Sequence, residues 1–164
     1  MSEILENLKN LLNEYGKAID KDKVTIDVKS TSCIDTNVPA SQGVYWIETT
    51  MPKEELRKAI SEVLNKEKRL RKNPPKGVSL IDQEGDNYYV AYSGTEDDIK
   101  KRLKQHLFNQ GHADTVKLGC VIDESPFSDY KWRISYQVID NYEIRYAIEA
   151  WWRLNVGWPA FCLR

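Results

Sequence analysis

Two short segments rich in β-branched and aromatic residues stand on either side of a long helical pattern, and this order most constrains the fold. Residues 43–50 (GVYWIETT) and 88–94 (YYVAYSG) are predicted strands, because such side chains pack well on a pleated, half-buried surface. Between them, residues 52–71 begin with Pro52, which suits the first turn of a helix, and then carry apolar residues at helical spacing. A helix that connects two strands predicts an architecture of mixed α and β elements.

The rest of the chain continues this alternation of elements. Stretches that alternate polar and apolar residues, or that are rich in aromatic residues, predict three more strands, at residues 24–28, 117–123 and 131–140. Apolar residues spaced as on one helix face predict three more helices, at residues 3–19, 96–107 and 140–155. Gly16 is expected to stop the first helix, and residues 31–42 are expected to form a polar loop.

These elements predict an α/β (α+β) fold with a small, mainly antiparallel sheet flanked by helices. Residues 1–41 would form an N-terminal helix and strand extension, and residues 42–164 one domain with a basic helical insertion at about residues 51–82. At 164 residues, the chain can bury a core without disulfides. No apolar run is long enough to span a bilayer, so no membrane partner is expected. Three scattered cysteines without a C-x-x-C pair favour a reducing, cytoplasmic compartment.

Positive charge is concentrated in two clusters, although the net charge is only −1. Six of the eleven residues from Lys66 to Lys76 are basic and one is acidic, and a second basic cluster lies between Lys100 and Lys104. Phosphate binding needs local positive potential rather than a positive total charge, so a nucleic-acid partner is compatible with this composition. The alternative is a solvated charge run. The candidate nucleic-acid-binding residues are Lys66, Lys68, Arg69, Arg71, Lys72, Lys101 and Lys104.

Two strands with tyrosine and glycine are followed by a helix with arginine and histidine and by a late helix with a glutamate. The strands contain Gly43-Val44-Tyr45 and Tyr92-Ser93-Gly94, and the helix carries Arg102 and, four residues later, His106. Glu149 lies among apolar residues of the last predicted helix. This order resembles the GIY-YIG nuclease superfamily, whose two motifs, helix arginine, histidine or tyrosine, and metal-binding glutamate follow one another in the same way.

The resemblance covers about residues 42–164, and the sequence departs from the family at three places. In the second motif, Ser93 stands where the family usually has an aliphatic residue. Tyr45 and Tyr92 are 47 residues apart, much farther than is usual, so the basic helical segment would be an insertion between two hairpin strands. Near the C-terminus, Cys162 stands where the family usually has an asparagine. The remaining candidates for that asparagine are Asn141 and Asn155.

The resemblance implies a Mg²⁺-dependent (or Mn²⁺-dependent) endonuclease that cuts DNA, of a restriction or mobile-element type, with RNA open as a substrate. Glu149 would hold the metal ion, and Arg102 would bind the scissile phosphate through its planar guanidinium. Tyr45, or else Tyr92, would activate the attacking water. A tyrosine has an ordinary pKa of about 10, so Arg102 and the metal would have to lower it, and His106 would accept or relay the proton.

Each of these residues also has a purely structural explanation. The two tyrosines are compatible with ordinary strand aromatics. Arg102 and His106, expected on the polar side of their helix, would then form a solvated face. Glu149 would instead form an intrahelical ion pair with Arg145 or Arg153, each four residues away.

Two other functions stay open at this level. A catalytically inactive member of the same fold would bind nucleic acid or protein without cutting. An interaction protein would use residues 3–19 to form a homodimer and the basic helix to bind an acidic partner. Cleavage assays separate the first alternative from a nuclease, and the mass in solution tests the second.

Overall fold

Four strands form one antiparallel sheet in the computed structural model, which describes residues 2–64, 74–111 and 117–162. The strands are β1 (Val24–Asp27), β2 (Gly43–Thr49), β3 (Tyr89–Glu96) and β4 (Trp132–Val138). Their order across the sheet is β1-β4-β2-β3, and every neighbouring pair is antiparallel. The predicted α/β class with a small antiparallel sheet flanked by helices is confirmed.

Within the described ranges, five α-helices cover the two faces of this sheet. They are α1 (Ser2–Asp22), α2 (Thr31–Asn37), α3 (Lys53–Leu64), α4 (Ile99–Leu107) and α5 (Tyr142–Asn155), and a short 3₁₀ turn spans Phe127–Asp129. Side chains of β2 alternate between two hydrophobic clusters. Val44 and Trp46 pack with α1 and α5, whereas Tyr45 and Ile47 pack with α2, α3 and α4. With helices on both sides, every residue of β2 is buried.

The N-terminal residues are built into the same sheet and core. β1 pairs with β4, and α1 packs on α5, where the indole of Trp152 donates a hydrogen bond of 2.7 Å to Asp20. The expectation that Gly16 stops the first helix is wrong, since α1 continues to Asp22. A Cβ at Gly16 would lie 2.3 Å from the ring of Trp151, so glycine allows the close approach of α1 to α5.

The first half of α1 carries apolar side chains that no other described part of the protein covers. The exposed members are Ile4, Leu5, Leu8 and Leu11. They follow one face of the helix, as the amphipathic pattern predicted, but this face points to solvent rather than into the core.

The predicted polar loop at residues 31–42 is wrong in its first half, because residues 31–37 form α2. Ile34 in this helix and Val38 at its end lie four residues apart and are both buried. Two apolar residues among polar ones are too weak a pattern to recognise, yet their burial stabilises a short helix.

The predicted strand at residues 117–123 is also wrong, since this segment forms no strand although most of it is buried. The backbone N–H of Cys120 donates to the carbonyl of His106 over 2.8 Å, and that of Ile122 donates to Leu107 over 2.9 Å. The last carbonyls of α4 therefore satisfy the polar groups that a sheet would otherwise pair.

The insertion between the two motif strands begins with α3, at Lys53, close to the predicted start. The continuation of the predicted helix to residue 71 lies outside the described residues. In the part of the chain that is described, every helix is too short or too polar to traverse a lipid bilayer.

Candidate active site

The pairing of β2 with β3 brings the two tyrosine–glycine segments side by side. Tyr45 lies opposite Gly94 in the register of these strands. A Cβ at Gly94 would lie 2.5 Å from the hydroxyl oxygen of Tyr45, so only glycine leaves room for this phenol across the strand pair. The spacing of 47 residues between Tyr45 and Tyr92 is thus bridged by direct strand pairing.

A cleft of about 630 Å³ opens beside this strand pair, between the sheet and α5. Four of the five residues expected to be catalytic or metal-binding line it: Tyr45, Tyr92, Arg102 and Glu149. The fifth, His106, lies behind the two phenols. Its ring centroid is 5.7 Å from that of Tyr45 and 4.4 Å from that of Tyr92. Residues from β2, β3, α4 and α5 therefore meet at one place.

His106 is fully buried, which contradicts its expected position on the polar side of the helix. Its Nε2 atom lies 2.9 Å from the hydroxyl oxygen of Tyr45. Its Nδ1 atom accepts a hydrogen bond of 2.8 Å from the backbone N–H of Leu118. Because Nδ1 is an acceptor, the neutral imidazole carries its hydrogen on Nε2 and donates it to Tyr45. In this arrangement His106 does not accept the Tyr45 proton, which is one of the two roles, acceptor or relay, expected from the sequence.

Both phenols are held in their neutral form by burial. The pKa of Tyr45 lies well above its ordinary value, because the hydroxyl is desolvated and lies near Tyr92. Burial likewise raises the pKa of Tyr92 to about 12. Arg102 opposes the shift at Tyr45 through its positive charge and a hydrogen bond. The local environment therefore favours the neutral phenol over the phenolate. Arg102 acts in the opposite direction, because its positive charge favours the phenolate of Tyr45.

Arg102 is mostly buried and is not on a solvated face of α4, so this part of the expectation is also wrong. Its side chain is 13% exposed, and Nε lies 3.7 Å from a carboxylate oxygen of Glu96. One terminal nitrogen donates a hydrogen bond of 2.7 Å to the side chain of Gln105. These contacts fix the guanidinium at the edge of the cleft, beside Tyr45.

Glu149 forms an ion pair with Arg153, one of the two partners considered from the sequence. The two side chains lie one helical turn apart in α5, with 2.5 Å between Nη2 and Oε1. Burial raises the pKa of the Glu149 carboxyl, and Arg153 and a hydrogen bond from Thr95 oppose this shift. The other partner considered, Arg145, pairs instead with Asp97 over 2.6 Å.

Arg153 is a residue of the cleft that the motif comparison did not include. Besides Glu149, it donates hydrogen bonds to the carbonyl oxygen of Ser93 over 2.6 Å and to its hydroxyl over 3.0 Å. It lines the same cleft as Arg102, so two guanidinium groups border the site. Its spacing of four from Glu149 was visible in the sequence, but only the fold directs it toward β3.

Buried Cys162 stands at the position where the GIY-YIG family usually has an asparagine. The sulfur of Cys162 accepts a hydrogen bond of 3.3 Å from the backbone N–H of Ser93, and burial raises the pKa of the thiol. Neither remaining asparagine faces the cleft. Asn141 accepts a hydrogen bond from the backbone N–H of Ile144 at the start of α5, and Asn155 donates one to the carbonyl of Trp151. Cys162 thus supports β3 from behind the site.

Lys101 and Lys104 lie away from this cleft, in a depression of about 270 Å³ along α4. Lys104 pairs with Asp35 over 2.8 Å, and Lys101 is exposed. The other candidate nucleic-acid-binding residues lie outside the described residues: Lys66, Lys68, Arg69, Arg71 and Lys72.

A divalent ion at this site would have one carboxylate ligand from the described part of the protein. No three His, Cys, Asp or Glu side chains come together as a metal-binding group among the described residues. Mg²⁺ commonly binds through one or two carboxylates and completes its shell with water and substrate phosphate oxygens. Glu149, at the wall of an open cleft, fits an ion of this kind, provided that the ion shares the carboxylate with Arg153 or displaces it.

Comparisons of the chain with protein-family models, with curated proteins and with solved structures found no match. The geometry of the cleft therefore carries the functional argument.

Proposed function

We propose that this chain is a metal-dependent endonuclease of the GIY-YIG type that hydrolyses DNA phosphodiester bonds in the cytoplasm. The observation that carries the proposal is the meeting of Tyr45, Tyr92, Arg102 and Glu149 in one cleft, with His106 bonded to Tyr45 behind them. These residues are distant in sequence, and ordinary strand or helix preferences do not require them to meet. A cleft with phenols, guanidinium groups and one carboxylate suits phosphoryl chemistry, which needs a base and positive charge around the phosphate.

Arg102 and Arg153 bind the scissile phosphate from the two sides of the cleft. Their planar groups donate paired hydrogen bonds to phosphate oxygens and neutralise the charge that develops during attack. Ser93 and Glu149 hold Arg153, so it is positioned before the substrate arrives. Positioned charge of this kind needs no reorganisation during the reaction.

Tyr45, or else Tyr92, first loses its hydroxyl proton to solvent and then, as a phenolate, takes the proton of the attacking water. The Nε2 hydrogen of His106 stabilises the charged form of Tyr45, as does Arg102. Glu149 would hold a Mg²⁺ or Mn²⁺ ion, which when bound supplies Lewis-acid stabilisation of the leaving oxygen. Arg102 and the hydrogen bond from His106, with the metal ion when it is bound, would thus offset the burial that disfavours ionisation of the phenol.

The proposal is tested by incubating the purified protein with Mg²⁺ or Mn²⁺ and with supercoiled, linear and single-stranded DNA and with RNA. We expect cleavage of DNA, and its loss in Arg102→Gln and Glu149→Gln. Arg57→Gln and Glu143→Gln are matched controls, because both side chains are exposed and away from the cleft. If every nucleic acid stays intact under all conditions, the enzymatic proposal is wrong.

A catalytically inactive binding module is the second candidate. Two observations favour it. Glu149 and Arg153 already neutralise each other in an ion pair, and burial raises the pKa values of both phenols, so the site is stable without a substrate or a metal ion. Binding of DNA or of a protein without cleavage, unaffected by Glu149→Gln, would select this candidate.

We also propose that two copies associate through the exposed apolar face of α1. Ile4, Leu8 and Leu11 recur at intervals of four and three residues, which is the spacing of a helix–helix seam. The mass in solution at two salt concentrations tests this. An apolar seam predicts a dimer that persists at high salt and dissociates in Leu8→Glu, and a monomer at all concentrations would contradict it.

A further inference from the structure

We propose that Tyr142 and Tyr146 form a stacking platform for an unpaired nucleobase next to the scissile phosphate. The inference rests on the proposed nuclease function and specifies its substrate: DNA with a single-stranded, terminal or extruded base at the cleavage site.

The two tyrosines form an exposed aromatic pair on the outer surface of α5. Their ring centroids are 4.6 Å apart, with 43° between the ring planes. Tyr142 is 58% exposed and Tyr146 47% exposed. Two neighbouring aromatic rings in contact with water leave apolar surface uncovered, which marks a binding surface more often than an isolated exposed side chain does.

The buried side chain of Arg145 lies against both rings. The guanidinium carbon of Arg145 lies 5.5 Å from the ring centroid of Tyr142 and 5.9 Å from that of Tyr146. Arg145 is itself fixed by hydrogen bonds to the carbonyl of Glu96 over 2.8 Å and to the carboxylate of Asp97 over 2.6 Å. The rings therefore lose little freedom when a ligand binds, and such preorganisation favours affinity.

The platform continues into the candidate active site. Tyr146 lies three residues before Glu149 on the same helix and lines the same cleft, together with Arg102 and Arg153. A phosphate between the two arginines would carry its attached nucleoside toward this wall of the cleft. Aromatic rings beside a positively charged groove are the usual combination for binding single-stranded nucleic acid.

The platform fits an unpaired base rather than an intact duplex. Inside a duplex, both faces of a base are already stacked on neighbouring bases, and a side-chain ring reaches a face only at an end, in a single strand or after the base is flipped out. Stacking tolerates any base, because each base has an aromatic face, so we expect selectivity for strand state and little for sequence.

Binding without divalent metal tests the inference, with an oligonucleotide that carries 2-aminopurine, offered as a single strand and as a duplex. We expect Tyr146→Ala to weaken single-strand binding by about 5-fold to about 100-fold and to relieve quenching of the 2-aminopurine fluorescence. Tyr146→Phe should bind as the wild type does, because it keeps the ring. Tyr15→Ala, an exposed tyrosine on α1, is the matched control and should also bind normally.

The inference is overturned if Tyr146→Ala binds single strands as tightly as the wild type, or if Tyr146→Phe loses as much affinity as Tyr146→Ala. An equal loss for fully paired DNA would overturn it too.

Failure of the platform proposal is distinguishable from failure of the nuclease proposal, since cleavage is measured separately with Mg²⁺. If the wild type cleaves DNA but Tyr146→Ala binds single strands as tightly as the wild type, only the platform is rejected. If binding depends on the Tyr146 ring but no DNA is cleaved, only the catalytic proposal is rejected. If the wild type binds no nucleic acid, both are wrong.

Discussion

His106 donates its Nε2 hydrogen to the hydroxyl oxygen of Tyr45 over 2.9 Å, because the backbone N–H of Leu118 already occupies Nδ1. This relationship determines what the histidine can do. It stabilises a negative charge on Tyr45, and it holds the loop after α4 against the core. The sequence predicted that His106 accepts or relays a proton, and in the structure it is a buried hydrogen-bond donor to Tyr45.

Replacing His106 with alanine should destabilise the protein strongly. The change removes the partner of the Tyr45 hydroxyl and the acceptor of the Leu118 N–H and opens a buried cavity, so we expect a loss of about 3 kcal/mol. Denaturant unfolding followed by circular dichroism measures it. Lys101→Ala on the exposed side of the same helix is the control and should change stability by less than about 0.5 kcal/mol. A His106→Ala variant as stable as the wild type would contradict the described hydrogen bonds.

Stability should fall at alkaline pH partly because of Tyr92. Its pKa is about 12 in the folded chain against about 10 when unfolded, so the folded state binds this proton more tightly. The contribution is fully present below a pH of about 10 and is lost as the pH rises toward about 12. As the pH rises from about 10 to about 12, the midpoint of thermal unfolding should therefore fall less steeply in Tyr92→Phe than in the wild type. Exposed Tyr15→Phe should follow the wild type, and identical slopes for Tyr92→Phe and the wild type would refute the assignment.

Cleavage by a phenolate base should become faster with rising pH. The pKa values of both phenols are raised by burial, so the ionised fraction grows about tenfold per pH unit in the range below them. Single-turnover rates measured from about pH 6 to about pH 9 test this, and Tyr45→Phe or Tyr92→Phe should abolish the rise if that residue is the base. A rate independent of pH over this range would argue against both tyrosines as the base.

Gly16→Ala should destabilise the contact between α1 and α5. Alanine favours a helix over glycine by about 1 kcal/mol, yet the new Cβ would lie 2.3 Å from the ring of Trp151. Because the ring is packed in the core, we expect a net loss of about 1–2 kcal/mol from overpacking. Lys17→Ala, exposed on the same helix, supplies the control in thermal unfolding. If Gly16→Ala were more stable than the wild type, α1 and α5 would not approach each other so closely.

The sequence predicted element types well where the periodic pattern was strong. The aromatic strands around Tyr45 and Tyr92 and the long helices that became α1 and α5 follow the predicted positions closely. The failures occurred where tertiary contacts replaced local preference. The segment after α4 has the composition of a strand, but its backbone bonds go to the end of a helix.

The candidate residues came from spacing, and the sequence could not reveal their contacts. That Arg153 joins Glu149, and that Cys162 lies behind β3, depends on how α5 and the C-terminal segment pack against the sheet. Such contacts depend on the rotation of whole elements, which no short stretch of sequence encodes alone.

What this sequence determined by itself is the order of strands and helices and the order of the tyrosine, arginine, histidine and glutamate residues along them, because periodicity and residue type are local properties. The tertiary structure alone decided which of these groups are buried, which donate hydrogen bonds, and which share a cleft. The physical reason is that β2–β3 register, helix packing and desolvation join residues that are far apart along the chain, and protonation and hydrogen-bond direction follow from that environment.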